Sequence, residues 1–109
     1  MTDKERQVAD FLTILRIWWR YEQPVCVIDE KNRPRIWSPD FYLPELGLYI
    51  EVCGHEDFNY TYREEIYKKN RIPVVFAHLY KEGEKWAYFL IKRIKEIHND
   101  RSEIIRNLD

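Results

Sequence analysis

Two acidic side chains stand where strand residues should be apolar, and they are the groups in this chain best placed to do chemistry. Asp40 follows Pro39 inside the aromatic run Arg35–Leu43, and Glu51 interrupts the apolar run Leu48–Cys53. Carboxylates are poor strand formers and costly to bury unpaired, so something must offset that cost. The two runs are joined by Pro44-Glu45-Leu46-Gly47, a turn sequence, and read as antiparallel neighbours. In that pairing Asp40 and Glu51 fall side by side on one face. Adjacent carboxylates suit Mg2+, or Mn2+, a hard cation that takes oxygen ligands and keeps several waters. Such an ion polarises a phosphoryl oxygen and lowers the pKa of a water. The plainer reading makes Asp40 a strand-end acceptor of backbone N–H groups and Glu51 a solvated or ion-paired strand residue.

The elements that must position this pair are legible from periodicity. Residues 4–20 read as a helix, because Val8, Phe11, Leu12, Leu15 and Trp19 recur on one face. Thr2 or Asp3 can cap its start. Ile14, Ile17 and Trp18 add a second apolar flank, more than one helix of a small monomer needs, which hints at a dimer contact. Val25–Asp29 reads as a strand, Glu30–Pro34 as a turn, Arg35–Leu43 as a second strand and Leu48–Cys53 as a third. In the third, Leu48, Ile50 and Val52 share one face, and Tyr49, Glu51 and Cys53 the other. Residues 58–70 read as a helix. Ile72–His78 reads as a buried strand parallel to the third, since a helix connects them. Lys81–Lys85 is a turn, and Trp86–His98 is a helix with Phe89, Leu90, Ile94 and Ile97 inward, continued or frayed over residues 100–108. The fold class is therefore α/β (α+β), a mixed β-sheet flanked by helices in the order α-β-β-β-α-β-α, within a single domain spanning residues 1–109.

Residues 38–54, Ser-Pro-Asp-Phe-Tyr-Leu-Pro-Glu-Leu-Gly-Leu-Tyr-Ile-Glu-Val-Cys-Gly, resemble the central motif of the PD-(D/E)XK nuclease superfamily. Pro39-Asp40 matches the first half of that motif and Glu51 the second. The resemblance covers roughly residues 4–79 and implies a restriction-endonuclease-like fold. It also implies a metal-dependent endonuclease that hydrolyses DNA phosphodiester bonds, with Mg2+ or Mn2+ held by Asp40 and Glu51. Glu5 matches an acidic residue often found on the family's first helix; its plainer role is a first-turn Glu favoured by the helix dipole. The departure is Cys53, which stands where the family has lysine. A thiol is never cationic and is too soft for Mg2+. Some family members draw the lysine from the following helix, where this chain has Lys68 and Lys69. Lys69 is the favoured substitute, at i+3 from Ile66 and i+7 from Tyr62, with Lys68 and His55 behind it. Its plainer role is a solvated lysine at a helix C-terminus.

Basic residues cluster at Lys31, Arg33 and Arg35 and again at Lys68, Lys69 and Arg71, and either cluster could contact phosphates. For any one of them a solvated loop or helix end is the plainer reading. The rest of the composition narrows the field. The 109 residues are 45% apolar and 16% aromatic, which excludes a disordered chain. Lys plus Arg number 18 against 19 acidic residues, for a net charge of −1, so a nucleic-acid face must come from local clustering. No apolar run approaches the roughly 20 residues of a membrane span. The charged start, MTDKERQ, is unlike a signal peptide, so a cytoplasmic location is expected. Two cysteines and scattered histidines cannot build a structural zinc site, and a Cys26–Cys53 disulfide is not expected because the second strand falls between them. No phosphate-cradling glycine motif occurs among three glycines, so no small-molecule cofactor is expected. The partners expected are DNA and a second copy of the chain. The rival readings are a catalytically inactive nuclease-like fold that binds nucleic acid or a partner protein, and a purely structural dimer subunit.

Overall fold

The computed structural model describes residues 1–55 and 58–107. It is a mixed α+β protein. The elements run α1 (Asp3–Ile14), β1 (Arg20–Tyr21), β2 (Val25–Ile28), β3 (Pro34–Trp37), β4 (Phe41–Leu43), β5 (Leu48–Val52), α2 (Thr61–Lys69), β6 (Val74–Ala77), α3 (Leu79–Glu82), a 3-10 turn (Gly83–Lys85) and α4 (Trp86–Arg106).

The four-stranded sheet has the order β1-β4-β5-β6. β4 is antiparallel to β1 and β5, and β6 is parallel to β5, as expected for strands joined through a helix. β2 and β3 form a separate hairpin. One face of the sheet carries Phe41, Leu43, Leu48, Ile50, Val75 and Ala77, buried against Val8 and Leu12 of α1 and Leu90 and Ile94 of α4. The opposite face carries Cys53 and Phe76, packed with Ile66 and Tyr67 of α2 and Val27 of the hairpin. The alternation read for Leu48–Cys53 thus separates two cores. The β4–β5 turn is closed by Gly47, whose φ of +62° suits glycine and whose N–H donates to the Leu43 carbonyl at 2.8 Å. The Arg101 guanidinium on α4 donates to the carbonyls of Leu46 and Gly47 at 2.7 and 2.8 Å, which fixes that turn from behind. No helix among the described residues is long and apolar enough to cross a membrane.

The structure corrects several expectations. The first helix stops at Ile14, not at residue 20. Its end is a Schellman motif: the Ile17 N–H reaches the Leu12 carbonyl and the Arg16 N–H reaches that of Thr13, with Arg16 left-handed at φ +58°. No glycine announces that stop. Trp19 still packs on the core, edge-on to Phe41 at 5.3 Å, but from an extended segment that leads into β1, a strand the periodicity did not reveal. The run Arg35–Leu43 is two strands, with β3 in the hairpin and β4 in the main sheet. The break falls at Ser38-Pro39-Asp40, where proline supplies no N–H to a ladder. Residues 79–85, read as a turn from 81, hold the short α3 and the 3-10 turn, and α4 runs unbroken to Arg106. The cap at Thr2 is as expected, its Oγ1 accepting from the Glu5 N–H at 3.1 Å. Both cysteines are free.

The left-handed residue at the end of α1 generates a stability prediction. A Cβ in that region costs roughly 1–2 kcal/mol, part of which glycine returns as unfolded-chain entropy. Arg16→Gly is expected to stabilise the protein by about 1 kcal/mol in urea unfolding. A destabilised variant would mean that α1 does not end in this motif.

Candidate metal centre

Asp40 and Glu51 are brought together. β4 and β5 pair Phe41 with Ile50, so the next step of the same register sets Asp40 opposite Glu51. Phe41 points to the α1–α4 side, so Asp40 lies on the other face with Glu51, in line with the cross-strand Tyr42–Tyr49 pair at 4.7 Å between rings. Like charges directly across a ladder destabilise it. The way each carboxyl is held shows how that cost is met.

Asp40 occupies the break before β4. The N–H groups of Tyr49 and Cys53 donate to the carbonyls of Pro73, just before β6, and Ala77 at its end, so by alternation that of Val52 faces β4. Asp40 Oδ2 accepts it at 2.7 Å, while the Asp40 carbonyl accepts from Glu22. The plain strand-end role is therefore real for one oxygen of Asp40. Glu51 is buried at 5% exposure. Its Oε2 accepts from the Tyr67 hydroxyl at 3.2 Å and from Arg63 Nη1 at 3.3 Å. Both donors come from α2, where they lie one turn apart on the inward face. Arg63 is itself held over the Trp37 ring at 5.4 Å and the Phe58 ring at 5.8 Å.

The electrostatics record the crowding. Burial pushes the Asp40 carboxyl up from 3.8 to about 7, with the charges of Glu51 and Glu5 adding to the rise and the Val52 N–H opposing it. Burial also raises Glu51, opposed by Arg63 and by the Tyr67 hydroxyl. The pair thus retains a proton to near neutral pH. Burial beside these two carboxylates pushes the Cys53 thiol far up, so it stays a neutral thiol.

The other candidates fall in different places. Glu5 acts on Asp40 through its charge, but its Oε2 accepts from the Tyr21 hydroxyl at 2.6 Å. It does not close a ligand cluster: no group of three His, Cys, Asp or Glu able to hold a metal occurs among the described residues. Lys69 is not brought to the pair. Its Nζ donates to the Asp29 carbonyl at 2.7 Å and to Asn32 Oδ1 at 3.3 Å, tying α2 to the hairpin turn. The inward face of α2 is set by Ile66 and Tyr67, whereas Tyr62, which anchored the choice of Lys69, is 44% exposed. Lys68 is exposed and pairs with Glu64. His55 is exposed, at the end of β5. Arg33 and Arg35 both donate to the buried Asp29 carboxylate, at 3.2 and 3.1 Å, and the Lys31 N–H donates to its other oxygen. Backbone N–H donation from Arg33, then the Arg35 guanidinium, holds the Asp29 carboxyl well below the usual range. The hairpin cations are thus organised around one anion, about half exposed on the α2 side of the sheet.

Sequence reasoning missed Arg63, Tyr67 and Lys4. The first two could have been found as the i, i+4 pair flanking Ile66. Lys4 had no signal: its Nζ donates to the Gly54 carbonyl at 2.7 Å, across a cleft of about 330 Å³ lined also by Glu5, Val52 and His55.

The raised Asp40 gives a pH prediction. A carboxyl whose folded pKa lies above its unfolded value contributes stability that is full below the ordinary carboxylate range and is lost as pH rises through about 7. Asp40→Asn mimics the protonated form. Its melting temperature should exceed the parent's by several degrees at about pH 8.5, and the gap should close toward about pH 4. A gap independent of pH would contradict the crowded-carboxylate account.

Comparison with protein-family models, with curated proteins and with solved structures finds no match to this chain.

Proposed function

We propose that this protein is a metal-dependent endonuclease of the PD-(D/E)XK type, with a restriction-endonuclease-like fold, acting on DNA. The observation that carries this reading is the Asp40–Glu51 pair across the β4–β5 seam, Glu51 buried and Asp40 half-buried, both carboxyls raised in proton affinity. Nothing in the packing requires two like charges there, and a divalent cation would relieve their repulsion. The donor set is all oxygen and only two carboxylates strong, which fits Mg2+ or Mn2+, ions that keep waters and take further oxygens from a phosphate. Asp40 and Glu51 would hold the ion; when bound, it supplies Lewis acidity toward the phosphoryl oxygen and a more acidic water.

The chain's own groups have definable parts. The Val52 N–H and the Tyr67 hydroxyl fix one oxygen on each carboxylate, leaving the others for a ligand. Arg63 replaces Lys69 as the proposed cation. It carries the permanent charge the motif position lacks, on the helix after the motif, and its side chain is 34% exposed. Were Glu51 to hold a metal, Arg63 would be free to turn its fork toward a phosphate, a geometry suited to guanidinium. Glu5 adds negative charge that strengthens cation binding without itself being a ligand. The exposed hairpin residues Lys31, Arg33 and Arg35, with Lys68, supply the local positive face for a DNA backbone. Ile14, Leu15 and Trp18, exposed at the end of α1, are the surface through which two copies would form a homodimer that addresses two strands.

A second reading is favoured by one observation. Arg63 already compensates Glu51 without a metal, and Cys53 is a buried thiol. A nuclease-like fold that has lost catalysis and only binds nucleic acid or a partner protein would look the same at these two positions.

Conversion of supercoiled plasmid to nicked or linear forms with Mn2+ or Mg2+ separates the readings. The nuclease reading expects metal-dependent cleavage, loss of activity in Asp40→Ala and Glu51→Ala, and a fall of about 100-fold or more in Arg63→Ala. Lys69→Ala should act only through stability. Absence of cleavage in the parent with either ion would leave the binding-only reading.

A further inference from the structure

Beside the carboxylate pair lies a second concavity that the metal reading does not use. It has a volume of about 420 Å³, within the roughly 300–1,000 Å³ of small-ligand sites. Its walls combine the rings of Phe58, Tyr60, His78 and Tyr80 with the polar side chains of Asn59 and Glu64. Tyr60 anchors the inner wall, edge-on to Phe76 at 6.4 Å and to His78 at 6.3 Å, with Phe58 leaning on it at 4.6 Å. Phe58 and Tyr80 are 48% and 51% exposed, so each presents ring surface to an incoming group. Lys4 Nζ sits 5.6 Å from the Tyr80 ring, and Lys81 lines the wall.

This cavity and the carboxylate pair share a partition. Cys53, two residues beyond Glu51 and on the same strand face, lines the cavity. Arg63 bridges the two, its Nη1 on Glu51 and its guanidinium over Phe58. A planar, partly polar group entering between Phe58 and Tyr80 would therefore lie next to whatever the carboxylates bind. Thr61 and His55 add further hydrogen-bonding groups to the lining, and aromatic faces for stacking with polar side chains at the base edge are how proteins hold an unstacked base.

We propose that this cavity holds one unstacked nucleobase of the strand whose phosphate meets Asp40 and Glu51, so that the substrate is single-stranded or locally opened DNA. The inference rests on the nucleic-acid reading above and deepens it. The test is fluorescence anisotropy with Ca2+, a hard cation that takes the same oxygen ligands, using a labelled single-stranded oligonucleotide and an abasic strand of the same length, which carries the same phosphates without bases. The parent should bind the intact strand about 10-fold or more tightly than the abasic one. Phe58→Ala and Tyr80→Ala, with melting temperatures near the parent's, should weaken the intact strand toward the abasic level and leave abasic binding unchanged. Equal affinity for the two strands in the parent would overturn the base-holding cavity while leaving phosphate binding, and so the nuclease reading, in place. No binding of either strand would overturn both.

Discussion

The arrangement of this protein turns on two carboxylates set side by side at one sheet seam, Glu51 buried and Asp40 half-buried. Charge of one sign in that position must be met by donors from every direction. The Val52 N–H supplies one from the strand itself, and Tyr67 and Arg63 supply two from the helix packed across the face. The break at Pro39 makes this possible: Asp40 leaves the ladder, and its side chain takes the amide that a strand carbonyl would otherwise accept. The cost is only partly met, as the raised proton affinity of Asp40 records. An incompletely compensated acidic pair is what a cation site looks like before the cation is considered.

The hairpin is organised by a second buried anion. Asp29, 2% exposed, accepts from two backbone amides and two guanidinium groups. Around it α2 closes by Lys69 to the Asp29 carbonyl and by Asn70, whose side chain pairs with both the N–H and the carbonyl of Ile28. Trp37 of the hairpin then packs edge-on against Tyr67 at 5.4 Å. The hairpin therefore braces the helix that presents Tyr67 and Arg63 to Glu51, and a disturbance at Asp29 would be transmitted to the acidic pair through that helix.

What the sequence disclosed, and what it hid, follows from the range of the forces involved. The β5–α2–β6 unit was legible because strand alternation and a helical connector are local signals, and the Asp40–Glu51 pairing followed from one turn. The end of α1 was hidden because a left-handed Arg16 carries no glycine. The split between β3 and β4 was written at Pro39 but masked by aromatic alternation on both sides. The preference for Lys69 over Lys68 rests on an inward-facing Tyr62. Its hydroxyl instead bonds the exposed Glu30 at 2.6 Å, a contact between residues 32 positions apart that periodicity cannot convey. The charge of Glu5 reaches Asp40, but its carboxylate bonds Tyr21 of β1, a strand that periodicity does not reveal.

The central claim is that Asp40 and Glu51 form one cation site, and its most direct measurement is calorimetric titration of Mn2+ into the parent at two pH values. A proton held near neutrality must leave as the metal enters. Binding should therefore be tighter at about pH 8 than at about pH 6, with more proton release at the lower value, and should vanish in both Asp40→Ala and Glu51→Ala. Parent protein that binds no Mn2+ at either pH, or binds it equally after either substitution, would contradict the account.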